Sequence, residues 1–171
     1  MSTRFASIPS RRAIIDRRAL ADVLAEAPRR EATEILRQAL AGGRAEIARR
    51  LEEKPWQGSE TAAAYAFLTD QIVRLVHDHA LREHPVANPT AAERLLMMAV
   101  GGYGRGEMAL HSDVDLAFVT PLKPTGWSEQ MVESILYLLW DLKLKVGQSV
   151  RSLDELGRIV AGDHTVRTAL L

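Results

Sequence analysis

Two aspartates, Asp113 and Asp115, stand one residue apart at the start of the apolar run VDLAFV. In a β-strand, residues i and i+2 point to the same face, so both carboxylates would project side by side. Two adjacent like charges are costly unless a cation lies between them. Mg²⁺ prefers carboxylate oxygens and keeps waters and phosphate oxygens as its other ligands. Beside a phosphate-binding segment, such a pair would form a metal site for phosphoryl or nucleotidyl transfer.

Four glycines precede the aspartates, at positions 101, 102, 104 and 106. Between an apolar run and a short helix, such glycines let backbone N–H groups approach a phosphate. The dinucleotide-binding fingerprint fails because Glu107 occupies its third glycine position, and the Gly-Lys-Ser/Thr of a P-loop does not occur. Glycines alone are equally typical of a tight turn, and a lone Asp-x-Asp favours a solvent edge or a capped turn. Their combination favours a phosphate-and-metal site.

The segment GGYGRGEMALHSDVDLAFV, residues 101–119, resembles the signature of the DNA-polymerase-β-type nucleotidyltransferase superfamily. More narrowly, it resembles the N-terminal transferase domain of the bifunctional uridylyltransferase/uridylyl-removing enzymes, which modify the nitrogen-regulatory protein PII. The stretch LLWDLKLKVGQSVRSLDE, residues 138–155, is similar to the same family, which has a Leu-Trp-Asp helix followed by Val-Gly-His-Ser-Val-Arg. The resemblance covers residues 95–171, and the helical front carries no motif.

The resemblance implies Mg²⁺-dependent transfer of UMP from UTP to a tyrosine hydroxyl of PII, with release of pyrophosphate. Asp113 and Asp115 would bind Mg²⁺ in the superfamily's two-metal scheme, which aligns the attacking hydroxyl and stabilises the leaving pyrophosphate. Gly101 and Gly102 would line the triphosphate. Ser112 would hold a phosphate or orient the loop.

Two arginines are further candidates for phosphate binding. Arg105 would either neutralise phosphate charge or pair with a neighbour such as Glu107. Arg151 is a weaker candidate of the same kind, on a predicted strand.

The sequence departs from the family pattern in two places. Superfamily members carry a third carboxylate on a neighbouring strand, but the stretch QSVR, residues 148–151, has none. Asp141, Asp154, Glu155 or a residue beyond Leu171 are the alternatives. Gln148 also stands where the family more often has histidine.

Two rival functions remain open at this stage. Metal and phosphate contacts do not read the base, so a related transferase using another nucleotide, as in adenylyl transfer, fits the same motif. A non-catalytic nucleotide-binding or interaction module fits it as well. The helical pattern at the C-terminal end has no cap. We therefore expect this chain to be the N-terminal piece of a longer protein, and we expect the piece itself to lack the family's hydrolase and ligand-sensing regions.

Composition narrows the class of protein. The 171 residues carry 22 basic and 22 acidic side chains and no cysteine. A formal net charge of zero gives no general attraction to nucleic acid or to an anionic membrane. No apolar run approaches the roughly 20 residues that span a bilayer, and no secretory signal is evident. These features predict a cytoplasmic protein that binds neither nucleic acid nor a membrane. Its partners, a nucleoside triphosphate and a PII-type regulatory protein, are implied by the family resemblance.

The predicted fold is α/β, a small mixed sheet flanked by helices. A helical segment, residues 1–88, precedes a nucleotidyltransferase core, residues 89–171. Strands are predicted at 95–100, 113–119 and 148–151, and helices at 16–28, 29–53, 59–82, 127–146, 153–160 and after residue 163.

Several local features of these elements are predicted too. Ser59 is expected to be an N-cap and Gly147 a C-cap. The glycines at 42 and 43 either divide the second helix or weaken it. Trp140 and Tyr137 are expected in the core. His77, His79 and His84 lie near a helix end and the following loop, and His77 and His79, at i and i+2, do not share a helical face, which disfavours a metal site.

Overall fold

The chain folds into helices packed on a three-stranded sheet, and a computed structural model describes residues 5–162. The predicted α/β class is confirmed. The predicted helix after residue 163 lies outside the described residues, and the division at residues 88/89 stays a prediction. The elements are α1 (Arg11–Ile14), α2 (Arg17–Leu24), α3 (Arg29–Glu53), α4 (Gly58–Glu83), β1 (Leu96–Ala99), α5 (Gly101–Arg105), β2 (Val114–Thr120), α6 (Gly126–Asp141), β3 (Val146–Ser152) and α7 (Leu153–Gly162).

The sheet has the order β1-β2-β3, with β1 antiparallel and β3 parallel to the central strand β2. Val114, Leu116 and Phe118 alternate along β2 and face the main core. Ala117 on the other face is buried as well. Asp115 is the one residue of β2 that is only partly buried.

One hydrophobic core joins the helices to the sheet. Helix α4 packs against both α3 and α6, so its apolar side chains connect the front of the chain to the sheet. Each fully buried aliphatic or aromatic side chain stabilises the fold by about 1.5–3 kcal/mol. The largest fully buried side chains are Leu24, Leu36, Ile47, Leu68, Ile72, Leu75, Leu116, Phe118, Met131, Ile135, Leu138 and Leu139.

Helix α3 runs unbroken through Gly42 and Gly43, which decides between the two predicted alternatives. Gly43 is buried where α3 meets α1 and α4. A Cβ at this position would overlap the Leu68 side chain and lie 2.9 Å from the carbonyl oxygen of Ile14. A Cβ at Gly42 would meet nothing within 4 Å. Gly43 therefore permits a close approach between elements, whereas Gly42 only weakens the helix.

Helix α6 ends five residues before its predicted end. Lys143 adopts the left-handed conformation, with φ 61°. Its N–H bonds to the carbonyl of Trp140 (2.8 Å), and the N–H of Leu144 bonds to that of Leu139 (3.1 Å). This pattern is a Schellman motif, which satisfies the last carbonyls of the helix. The predicted C-cap at Gly147 is wrong, because that residue lies inside β3.

Two other local predictions are also wrong. Trp140 and Tyr137 are 45% and 55% exposed and contact each other edge to face, with ring centroids 5.6 Å apart. They lie on the outer side of α6, whose core side carries Met131, Ile135 and Leu138. At the other end of the core, α4 begins at Gly58 with Gln57 as its N-cap residue, so Ser59 is not the cap.

His79 is the buried histidine of α4, 3% exposed. Its Nε2 lies 3.5 Å from Oε1 of Glu83 without hydrogen-bond geometry, and its Nδ1 lies 3.5 Å from Arg82. Arg82 donates to the carbonyl of Leu24 in α2, and Glu83 faces Arg29 at 3.7 Å. Burial lowers the pKa of His79, and the two arginines lower it further, against the opposing effect of Glu83. The neutral ring is therefore the form that this core favours.

We expect the two α3 glycines to respond oppositely to alanine. Gly42→Ala should raise the free energy of unfolding by about 0.5–1 kcal/mol, because alanine stabilises a helix and the site has open space. Gly43→Ala should lower it by about 1–3 kcal/mol through overpacking against Leu68. Urea unfolding monitored by circular dichroism measures both. Equal effects of the two substitutions would contradict the assignment of Gly43 to the close approach.

We also expect stability to fall as pH drops through the unfolded-state pKa of His79, about 6.5. The folded-state pKa is lower, so the unfolded chain binds the proton first and protonation favours unfolding. In urea unfolding at pH 7.5 and 5.5, His79→Gln should reduce this loss by up to about 1.4 kcal/mol per pH unit.

Thr69→Ala is the control for His79, because Thr69 is a buried polar residue of the same helix that does not titrate. Its cost should be the same at both pH values. If the wild type and His79→Gln lost equal stability between pH 7.5 and 5.5, His79 would not be the responsible group.

Candidate active site

The two aspartates lie where β2 begins. Asp113 is exposed and directly precedes the strand, and Asp115 is its second residue. Val114 between them is 1% exposed and faces the core, so strand alternation turns both aspartates away from the core. The backbone holds this segment from two sides. The N–H of Val114 bonds to the carbonyl of Lys145 (2.8 Å), and the carbonyl of Asp115 accepts from Val100 N–H (3.1 Å).

The carboxylate of Asp115 lies between two glycines from neighbouring elements. A Cβ on Gly101 would lie 3.1 Å from Oδ2, and a Cβ on Gly147 would overlap Oδ1. The parallel register pairs Asp115 directly with Gly147. Within the described residues, neither Asp113 nor Asp115 has a side-chain hydrogen bond or an ion pair. Asp115 is thus a half-buried carboxylate without a neutralising partner.

The glycine segment is a short helix rather than a loop. Helix α5 begins at Gly101, whose φ of +59° favours glycine. A Cβ on Gly102 would lie 3.0 Å from the carbonyl oxygen of Glu107, and one on Gly104 would lie 2.9 Å from that of Ala99. These glycines let α5 pack closely on the end of β1 and on the following loop. Of these three glycines, Gly101 is the one that lies close to the carboxylate of Asp115.

Arg105 and Ser112 each have a local contact. Nε of Arg105 lies 3.3 Å from Oε2 of Glu107, and both side chains are exposed. The hydroxyl oxygen of Ser112 accepts from the N–H of Ala109 (2.9 Å), which closes a turn directly before Asp113. The structure therefore shows the pairing alternative for Arg105 and a loop-orienting contact for Ser112. Phosphate binding by either side chain stays a prediction.

No carboxylate stands beside Asp115 on β3. The residues of β3 on that sheet face are Gly147, Ser149 and Arg151. Arg151 is exposed and lies four residues from Gly147, about 13 Å along the strand. Gln148, where the family more often has histidine, lies opposite Leu116 and so on the other face.

The other candidates for a third carboxylate have different surroundings. Asp141 lies 4.0 Å from Arg29 at the end of α6. Glu155 accepts from the N–H of Ser152 (2.9 Å) at the start of α7, and this hydrogen bond lowers its pKa. Asp154 is exposed on the same helix. Across residues 5–162, no three histidine, aspartate or glutamate side chains are grouped closely enough to hold a metal ion.

Sequence reasoning missed the role of Gly147. The residue belongs to the matched stretch VGQSVR, but its relation to Asp115 depends on the strand register. Gly147 was predicted as a helix C-cap directly before the strand predicted at 148–151, whereas a glycine inside a strand often marks a close approach.

Comparison with known proteins gives consistent matches. A family model described as "Glutamate-ammonia ligase adenylyltransferase" matches residues 4–136. Three relatives carry the name bifunctional uridylyltransferase/uridylyl-removing enzyme. The Novosphingobium aromaticivorans protein is 56% identical over 172 residues, 96% of this chain and 19% of the relative. The Erythrobacter litoralis protein is 47% identical with the same coverage, and the Rhodospirillum rubrum protein is 45% identical over 94% of this chain and 18% of the relative.

This chain spans about a fifth of the length of these relatives. The identity over nearly the whole chain confirms the resemblance that the glycine and Asp-x-Asp segment predicted. The chain belongs to the nucleotidyltransferase family that includes the bifunctional uridylyltransferase/uridylyl-removing enzymes and fits the glutamate-ammonia ligase adenylyltransferase model.

Proposed function

We propose that this chain contributes to Mg²⁺-dependent transfer of UMP from UTP to a tyrosine of a PII-type regulatory protein, with release of pyrophosphate. The observation that carries the proposal is the half-buried carboxylate of Asp115, two residues after Asp113. It lies against Gly101 and has no hydrogen-bond or ion-pair partner in the part of the chain that the structure describes. The names of the relatives support uridylyl transfer in particular.

The donor set fits Mg²⁺. Asp113 and Asp115 offer hard carboxylate oxygens, and the exposure of Asp113 beside the half-buried Asp115 leaves room for the waters and phosphate oxygens that this ion retains. The two residues would hold the ion, which supplies positive charge against the phosphate oxygens when it is bound. An ion there would also supply a countercharge, which Asp115 does not find among residues 5–162.

The remaining residues would bind and orient the nucleotide. Gly101 and Gly102 present backbone without side chains, so a triphosphate can approach them closely. Arg105 is exposed at the end of α5 and would exchange its contact with Glu107 for a phosphate. In the reaction, the tyrosine oxygen forms a bond to the α-phosphorus, the bond from that phosphorus to pyrophosphate breaks, and the hydroxyl proton is lost.

Adenylyl transfer is the second candidate, because the family model that matches residues 4–136 describes an adenylyltransferase. The contacts proposed for Asp113, Gly101 and Gly102 involve metal and phosphate, which ATP and UTP share. A choice between the two nucleotides therefore requires a direct comparison. The location of the protein in the cytoplasm remains a prediction; within residues 5–162, no helix is long and apolar enough to cross a membrane.

We expect the double variant Asp113→Asn/Asp115→Asn to bind Mn²⁺ and Mn²⁺–UTP at least tenfold more weakly than the unmodified chain. The amides keep the shape of the carboxylates but remove both charges, and the metal prefers charged oxygens. Isothermal titration with Mn²⁺, which replaces Mg²⁺ as a probe, measures the change. Asp22→Asn is the control, because Asp22 is an exposed carboxylate of α2, and it should leave binding unchanged.

The transfer reaction itself is tested with PII and nucleotides labelled at the α-phosphate. Labelling of PII from UTP, and not from ATP, supports the proposal. Labelling from ATP alone would favour the adenylyl candidate. Metal-dependent nucleotide binding with no transfer from either nucleotide would favour a binding module.

A further inference from the structure

Gly147 lies inside strand β3, at a position where the backbone conformation does not require a glycine. Among the described glycines, only Gly101 and Gly106 have a φ in the left-handed region. Any residue could therefore adopt the backbone conformation of Gly147. Glycine in a strand interior weakens the strand, because it packs no side chain and loses more entropy on folding. Its presence in β3 needs a reason other than conformation.

That reason is space for the carboxylate of Asp115. The parallel ladder pairs the two residues, so a side chain at position 147 would project beside that of Asp115 on the same face. A Cβ built on Gly147 overlaps Oδ1 of Asp115, and the carboxyl carbon lies 3.5 Å from the same point. With any other residue at 147, the Asp115 side chain would have to rotate or β3 would have to shift.

On the opposite side, the second carboxylate oxygen faces α5. A Cβ on Gly101 would lie 3.1 Å from Oδ2 of Asp115, so the backbone of α5 is close to the second oxygen. The carboxylate therefore lies between two elements that each lack a side chain at the point of contact. Gly101 also needs its left-handed φ, whereas Gly147 contributes space alone.

We propose that Gly147 is a positioning residue for Asp115: the missing side chain provides the space occupied by Oδ1 and so fixes the carboxylate in its metal-binding orientation. This inference rests on the proposed function of Asp115 as a metal ligand. Its steric part, the contact between positions 115 and 147, does not depend on the metal and can be measured without it.

The first experiment is a double-mutant cycle on thermal unfolding in EDTA. Gly147→Ala should lower the Tm by about 5 °C when Asp115 is present. In an Asp115→Ala background the same change should leave the Tm unchanged or raise it, because the overlap is gone and alanine packs better in a strand. Gly157→Ala in α7, where a Cβ meets nothing within 4 Å, is the control and should shift the Tm equally in both backgrounds.

The second experiment is Mn²⁺ binding by isothermal titration. Gly147→Ala should weaken Mn²⁺ binding at least tenfold while circular dichroism shows a retained fold. Ser149→Ala, two residues along the same face of β3, should bind Mn²⁺ like the unmodified chain. In the Asp115→Asn background, Gly147→Ala should cause no further loss, because the ligand that it orients is already changed.

The outcomes separate this inference from the proposed function. Additive Tm effects in the cycle would overturn the steric contact whatever the metal does. Coupled Tm effects with unchanged Mn²⁺ affinity in Gly147→Ala would overturn the positioning role. An unmodified chain that does not bind Mn²⁺ at all would overturn the proposed function, and the positioning role with it, while the coupling between the two positions would still stand.

Discussion

A carboxylate near the start of the buried central strand β2 is the constraint on which the rest of this site depends. Every other residue of β2 is buried, yet Asp115 occupies its second position without a hydrogen-bond or ion-pair partner among the described residues. A charge in such surroundings disfavours folding unless it keeps access to water or acquires a cation. The neighbouring elements leave the carboxylate accessible, because Gly101 and Gly147 place no side chain over it. The absence of side chains at these two glycines therefore shapes the site as much as the aspartates do.

The helical front provides the rigidity that such an arrangement needs. Helix α4 packs against α3 and α6, and the main core includes the inner face of β2, so the strand that carries Asp115 cannot shift alone. The close packing of α3 on α1 and α4 at Gly43 and the neutral, buried His79 both belong to this helical core. Substitutions there act on stability first. Such substitutions affect the site only by destabilising β2. A change in metal affinity, rather than in stability alone, therefore identifies the residues that act on Asp115 directly.

The sequence predicted the family and the fold class better than it predicted the local chain geometry. Asp113 and Asp115 were recognisable because strand periodicity fixes which side chains share a face, and the α/β class followed from apolar runs. The end of α6 was missed because Lys143, not glycine, takes the left-handed position, and nothing in its type signals that. Trp140 was placed in the core because it stands at helical spacing with Tyr137, but that spacing falls on the outer side of α6. Gly147 could not be understood without the register of β2 and β3, which is a tertiary property.

The same register bears on how the metal site is completed. On the Asp115 face, the nearest position of β3 is 147, and its side-chain space is taken by Oδ1 of Asp115. A carboxylate at 147 would overlap Asp115 and add like charge beside it, so this position cannot supply a third ligand. The next residues on that face, Ser149 and Arg151, bear no carboxylate. A third carboxylate that joins Asp113 and Asp115 would therefore have to come from an element other than β3.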